Sequence, residues 1–138
     1  MINNPYSQYL ENQVTTATPG KLLVMTYDAA IRFIKLAAEK MTEHKLDEQS
    51  ANIIKAQNIL LELISSLNTK VDPQLAANLH SIYNYMFDRL TEANLHDDQQ
   101  ALAEVLDIMT ELRSTWAEAE LMIRSGNTAG TETSARAA

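Results

Sequence analysis

The sequence predicts an all-α fold, an antiparallel up-down four-helix bundle with a short N-terminal capping segment. Only three Gly and three Pro occur among 138 residues, and their positions leave long uninterrupted stretches, which favours helices over short strands joined by turns. Within those stretches apolar residues recur at alternating steps of three and four, the spacing that lines one helix face. Short connections between the helices make sequential neighbours antiparallel.

Capping chemistry predicts where the helices begin and end. Thr18-Pro19 and Asp72-Pro73 each place a side-chain acceptor before a proline at the first helical position. Asp97-Asp98 offers carboxylates to the free N–H groups of a further helix start. Lys45-Leu46-Asp47 supplies the remaining boundary, and Ser125-Gly126 is typical of a helix C-terminus.

Each of the four predicted helices carries one series of apolar residues that we expect to form the core. The series are Leu23, Tyr27, Ala30, Ile34, Ala37 and Met41; Ile53, Ala56, Leu60, Leu63 and Leu67; Ala76, Leu79, Tyr83, Met86, Leu90 and Ala93; and Leu102, Val105, Met109, Leu112, Trp116, Ala119 and Ile123.

The two ends of the chain differ from the bundle, which we place at 19–126. Residues 127–138 have almost nothing to bury, and we expect a disordered tail without a function. Residues 1–18 are polar but carry Tyr6, Tyr9 and Leu10. Such a segment cannot fold alone. It either docks on the bundle as a lid or stays mobile.

The first and second helices have apolar faces wider than a surface helix needs. On the first helix only a narrow polar wedge remains, and the second helix is intermediate. Three neighbours cannot cover such faces, so apolar surface requires another cover. The N-terminal lid, a partner chain or self-association as a homodimer would supply it; irregular packing that embeds the first helix is the alternative.

Composition excludes several partner classes. The chain has 11 Lys+Arg against 18 Asp+Glu, a net charge of −7, so it has no basic stripe for nucleic acid or anionic membranes. Cysteine is absent, which rules out disulfides and thiolate sites. No apolar run is long enough for membrane insertion, and the N-terminus lacks the pattern of a signal peptide. We therefore expect a cytoplasmic protein.

The residue pattern does not predict an enzyme, a metal site or a cofactor. No Glu stands three residues before His44, His80 or His96, so the Glu-x-x-His pairs of di-iron bundles are missing. Gly20 is the only glycine before residue 126, which excludes glycine-rich phosphate loops. The carboxylates of the third and fourth helices are interpreted as a solvated surface.

Four strings of residues resemble the flagellin-specific export chaperones, the FliS family, over residues 4 to about 124. The strings are Asn4-Pro5-Tyr6-Ser7-Gln8-Tyr9; Thr16-Ala17-Thr18-Pro19-Gly20-Lys21-Leu22 with Met25-Thr26-Tyr27-Asp28; Lys55-Ala56-Gln57-Asn58-Ile59-Leu60; and Tyr83-Asn84-Tyr85-Met86 with Arg89-Leu90 and Glu92-Ala93-Asn94. Thr26 and Ala29 depart from the residues common in the family. The departures leave the detailed shape near the first helix open.

The resemblance implies a cytoplasmic, non-enzymatic chaperone. It would bind the C-terminal region of flagellin, prevent premature polymerisation and deliver flagellin to the flagellar export apparatus. A helical adaptor or anti-regulator that binds another flagellar or regulatory protein through the same groove is the alternative. The expected partner-binding residues are Tyr6, Tyr9 and Leu10 in the lid, Leu22, Met25, Ile53, Ile54 and Leu61 in the groove, and Lys55 and Asn58 at its rim. For Leu22 and Ile53 a plain core role remains open.

Overall fold

The structure is a computed structural model that describes the backbone of residues 17–137 and the side chains of residues 17–125. Its regular elements are four helices: α1 Pro19–Thr42, α2 Leu46–Ser65, α3 Pro73–His96 and α4 Gln99–Ala137. The described residues contain no strand. The all-α prediction is confirmed.

The predicted caps form at the helix N-termini. Thr18 Oγ1 accepts a hydrogen bond from the Lys21 N–H at 3.1 Å, and Asp72 Oδ1 accepts one from the Leu75 N–H at 3.1 Å. Asp98 Oδ1 accepts from the two N–H groups that follow Gln99, at 2.9 and 3.2 Å. These bonds satisfy donors that have no partner inside a helix.

Side-chain bonds show that neighbouring helices run antiparallel around a four-cornered bundle. The end of α1 meets the start of α4, where Gln99 Nε2 donates to the Ala38 carbonyl oxygen at 2.9 Å. The end of α3 meets the start of α2, where Gln49 Nε2 donates to Asp97 Oδ1 at 2.9 Å. Close packing joins α1 to α2 and α4, and α3 to the same two helices. Helices α1 and α3 therefore occupy opposite corners, as the up-down topology predicts.

The core confirms most of the predicted apolar series. Every member of the α3 series is buried, and Val24 rather than Leu23 is buried at the start of α1. Ile123, expected in the core, is 59% exposed. The reason is the length of α4. Thr18, just before α1, bonds to Glu120 of α4, so residues after Glu120 extend beyond the start of α1.

The predicted end of α4 at Ser125-Gly126 is wrong, because the helical backbone continues to Ala137. A glycine inside a helix costs about 1 kcal/mol relative to alanine but keeps its N–H and C=O groups. It therefore weakens a helix without ending it. The division into a lid, a bundle and a disordered tail stays a prediction, and residues 1–16 lie outside the described residues.

Candidate functional site

The outward face of α1 carries a line of apolar side chains, Leu22, Met25, Ala29 and Leu36, which we name the α1 stripe. Their steps of three, four and seven place them on one side of the helix, opposite the buried residue Ile34. All four are half-buried. Within the described chain they are not among the apolar side chains that pack against the core.

Polar and aromatic contacts show what lies on either side of the α1 stripe. On the α4 side, Arg113 Nε donates to Asp28 Oδ1 at 2.8 Å. On the α2 side, the Lys55 ammonium lies 5.4 Å from the centroid of the Phe33 ring, a cation–π contact. The stripe therefore faces away from both neighbours. This agrees with the wide apolar face that the sequence predicts for the first helix.

A second apolar patch, formed by Ile54 and Leu61, lies on the side of α2 that faces away from α1. Both side chains are about half exposed, at 50% and 51%. Gln57, three residues after Ile54, donates through Nε2 to Thr91 Oγ1 of α3 at 2.8 Å. Residues at this spacing share a helix face, so the patch borders α3, whereas Lys55 faces α1.

The predicted groove residues are thus divided between two surfaces. Leu22 and Met25 belong to the α1 stripe, and Ile54 and Leu61 form the patch beside α3. The exposed side chains of Lys55 and Asn58 lie on α2 between them. Periodicity gives each residue an angle on its own helix, but it does not say which neighbouring helix lies on which side. For this reason the prediction from sequence assigned the residues of two surfaces to one groove.

Ile53 differs from the other predicted groove residues. It is fully buried, at 0% exposure, within the core cluster. Its position matches the core role that the sequence left open, and a partner reaches it only if the bundle opens. Tyr6, Tyr9 and Leu10 fall outside the described residues.

An apolar cavity of about 240 Å³ opens at the end of the bundle where the α2–α3 connection meets the start of α1. We name it the end cavity. Its lining residues are Leu23, Leu63, Ser66, Leu67, Asn68, Val71, Asp72, Leu75, Ala76, Leu79, Tyr83 and Trp116. Val71 at its mouth is 80% exposed. Leu23, near the start of α1, lines the cavity, so the cavity lies close to the first described residues of the chain.

A buried hydrogen-bonded network crosses the bundle beside the end cavity. The Trp116 Nε1–H donates to the Tyr27 hydroxyl at 3.0 Å, and the hydroxyls of Tyr27 and Tyr83 bond to each other. Burial raises the pKa of both tyrosines above the usual value, and for Tyr27 the bond to Tyr83 raises it further. The bond between the two hydroxyls joins the opposite corners α1 and α3 directly, and Trp116 links α4 to the α1 tyrosine.

Sequence reasoning placed these three aromatic residues in the core but missed their polar contacts. The available signal was their type, because buried Tyr and Trp normally find a hydrogen-bond partner. Gln49 was also missed: it is 1% exposed and bonds to Asn94 and Asp97. Its spacing of four and seven from Ile53 and Ala56 was the signal for burial.

Two chemical features are missing from the part of the chain that the structure describes. No three His, Asp or Glu side chains gather where they could hold a metal ion. No described helix has both the length and the hydropathy that a membrane crossing requires.

These observations define a class. A four-helix bundle that keeps apolar side chains outside its core has the architecture of a small helical binding protein. The family model described as "Flagellar protein FliS" matches residues 2–122. The chain belongs to this family.

Individual relatives support the same family assignment. The chain is 42% identical over 118 residues to the flagellar secretion chaperone FliS of Bacillus subtilis (strain 168), covering 86% of this chain and 87% of the relative. It is 30% identical over 113 residues to the Escherichia coli (strain K12) protein of the same name, covering 81% and 83%. The fold resembles that in "Crystal structure of flagellar chaperone from bacteria", with a TM-score of 0.70 at 18% identity, over 83% of this chain and 93% of that one. Chaperones of this kind are not an enzyme class.

Proposed function

We propose that this protein is a cytoplasmic export chaperone that binds the C-terminal region of flagellin. In this role it prevents premature polymerisation and aids delivery of flagellin to the flagellar export apparatus. The observation that carries the proposal is the α1 stripe, an apolar surface outside the core in a member of a family of flagellar secretion chaperones.

An exposed apolar surface of this kind can bind an unstructured segment of a partner protein. A disordered chain that folds on binding loses conformational freedom, and it offsets that cost by burying apolar side chains. Burial contributes about 25 cal/mol per Å². The three-and-four spacing of the α1 stripe suits a partner helix that lays its own apolar face along α1.

The two separate apolar surfaces support an extended binding mode. A cargo segment that runs along the α1 stripe and then crosses α2 would reach the patch of Ile54 and Leu61. On the way it would pass Lys55 and Asn58, whose exposed side chains can bond to its backbone or polar groups. A segment in two apolar pieces joined by a polar stretch would match this order.

The N-terminal segment is a competitor for the same surface in this proposal. From Thr18 back to Leu10 is eight residues, which extend to about 26 Å. The α1 stripe from Leu22 to Leu36 is about 21 Å long at 1.5 Å per residue. Tyr6, Tyr9 and Leu10 therefore have enough chain to act as a lid over the stripe until cargo displaces them.

A binding assay with full-length flagellin and with flagellin lacking its C-terminal region tests the proposal. We expect purified chaperone to retain the full-length protein and to lose the truncated one. Binding that survives the truncation would contradict the proposal and favour the alternative, a helical adaptor for another flagellar or regulatory protein.

Matched substitutions then test the surface. Met25→Glu and Ile54→Glu place a charge on the α1 stripe and on the α2 patch, and each should weaken binding at least about tenfold with little change in the thermal melt. Met122→Glu is the control, because Met122 is 72% exposed on α4, a helix that carries neither surface. Equal weakening by all three variants would contradict the assignment of the surface.

A further inference from the structure

The net negative charge of the chain lies on one side of the bundle. Residues 19–65, which contain α1 and α2, have six basic and six acidic side chains. Residues 73–125, which contain α3 and the described part of α4, have three arginines against nine carboxylates. The half that carries the proposed cargo surface is therefore neutral, and the other half carries nearly the whole net charge of −7.

An open groove with an apolar floor runs along this negative half, between α3 and α4. Its volume is about 450 Å³, and we name it the α3–α4 groove. Its lining residues are Ser81, Ile82, Tyr85, Ile108, Glu111, Leu112 and Thr115. Ile82, Ile108 and Leu112 are half-buried and pack against the core from the floor of the groove. The groove therefore belongs to the rigid bundle and not to a loop.

Tyr85 forms a fixed wall of the groove. Its ring is 48% exposed, and its hydroxyl donates to the Glu104 carboxylate of α4. Glu104 in turn lies 3.5 Å from Arg89 Nε, and Arg89 also pairs with Glu92. This ion-pair cluster closes one end of the groove. Arg89, the only basic side chain on this face of α3, is paired within it.

The α4 rim of the groove carries one lining carboxylate, Glu111, and two more lie beside it on the outward face of the helix. Asp107, Glu111 and Glu118 stand at steps of four and seven, so they share the outward face of α4. Among the described side chains none of the three forms an ion pair. An apolar floor beside a row of such carboxylates is complementary to a helix with one apolar face and one Lys/Arg-rich edge.

We propose that the α3–α4 groove docks a basic amphipathic helix of a second partner protein. The groove lies on the far side of the bundle from the α1 stripe. One chaperone can then hold a cargo segment on α1 and α2 and a basic helix on α3 and α4 simultaneously. Charge supplies the selectivity, because a neutral or acidic helix with the same apolar face would meet the repulsion of the rim.

A pair of designed peptides tests this proposal. The probes are helical peptides of about 18 residues, one built from Leu and Lys and the other with Glu in place of every Lys. On full-length ¹⁵N-labelled chaperone we expect the Lys peptide to shift the amide signals of Ser81, Tyr85, Ile108 and Thr115, and the Glu peptide to leave them unchanged. Added salt should weaken binding of the Lys peptide about tenfold between low and high ionic strength.

Two charge reversals separate this groove from general attraction to an acidic protein. Glu111→Lys should weaken binding of the Lys peptide about tenfold, whereas Glu62→Lys on α2 changes the net charge equally and should have less than about a twofold effect. Both side chains are exposed, and a thermal melt confirms that each variant is folded. Equal weakening by both variants, or signal shifts confined to α1 and α2, would overturn the proposal.

Discussion

At the scale of single residues, the hydroxyl network is the feature with the clearest energetic consequence. Trp116, Tyr27 and Tyr83 supply three donor hydrogens, and two of these are used in the bonds between the three side chains. Burial makes each bond more costly to break than it would be at the surface, because a buried donor without a partner loses its solvation.

Replacing Tyr83 by Phe should lower the free energy of unfolding by about 1–2 kcal/mol, because the Tyr27 hydroxyl loses a buried partner. Tyr85→Phe is the matched control. Tyr85 is 48% exposed, so this change should cost clearly less than Tyr83→Phe. Urea unfolding of both variants measures the difference. Equal costs would show that the buried bond contributes nothing specific to stability.

The same tyrosines predict a loss of stability at alkaline pH. In the unfolded chain a tyrosine ionises near pH 10, whereas burial raises the pKa of Tyr27 and Tyr83 in the folded protein. Their contribution is complete below about pH 10 and is lost as the pH rises from there through the folded pKa values.

Urea unfolding at a series of alkaline pH values measures that slope, which should reach about 1.4 kcal/mol per pH unit for each tyrosine. The decline should be shallower in Tyr83→Phe, which lacks one of the two groups. Identical slopes in the two proteins would contradict this account of the pH dependence.

At the scale of helices, the starts were predictable from sequence and one end was not. The caps at Thr18, Asp72 and Asp98 form local bonds within three residues, so the local sequence contains all the information needed. The end of α4 depends on whether a turn at Gly126 is more stable than continued helix, and one glycine does not determine the outcome. The predicted groove residues fall on two surfaces because of the way the helices pack against each other. The sequence of a single helix does not contain that information.

Thr18 connects two helices, and its loss should be measurable in both. Thr18 Oγ1 caps α1 and donates to Glu120 Oε1 at 2.7 Å, and that hydrogen bond is the main cause of the lowered pKa of Glu120. Thr18→Ala should lower the free energy of unfolding by about 1 kcal/mol and raise the pKa of Glu120 toward its usual value.

Thr110→Ala is the control for Thr18→Ala, because the exposed Thr110 hydroxyl bonds only to the carbonyl of Leu106 in its own helix. Thermal unfolding and a carboxyl titration by NMR check both effects. A Glu120 pKa that stays lowered in Thr18→Ala would assign the shift to Arg124 instead.

At the scale of the whole molecule, the two halves of the bundle differ in charge and in the apolar surface they expose. Position along the sequence separates them, since the neutral half precedes residue 66 and the acidic half follows it. The wide apolar face of α1 was readable from periodicity alone. The acidic groove was not, because its walls come from two helices whose facing edges only the packing brings together.

Removing residues 1–14 should tighten binding of the flagellin C-terminal segment about fivefold to tenfold, if the segment covers the α1 stripe for most of the time. Calorimetric titration of the full-length and shortened proteins measures the change. The double variant Tyr6→Ser/Tyr9→Ser keeps the chain length and should give a similar gain. An unchanged affinity in both proteins would remove the lid from the mechanism.

Trp116 gives the protein an intrinsic optical reporter. It is the only tryptophan in the chain, it lines the end cavity, and its indole N–H is bonded to Tyr27. Its emission maximum will therefore move to longer wavelength as the bundle opens, and its intensity will change when a guest side chain enters the cavity. Without any attached dye, one spectrum distinguishes a loosened bundle from an occupied one.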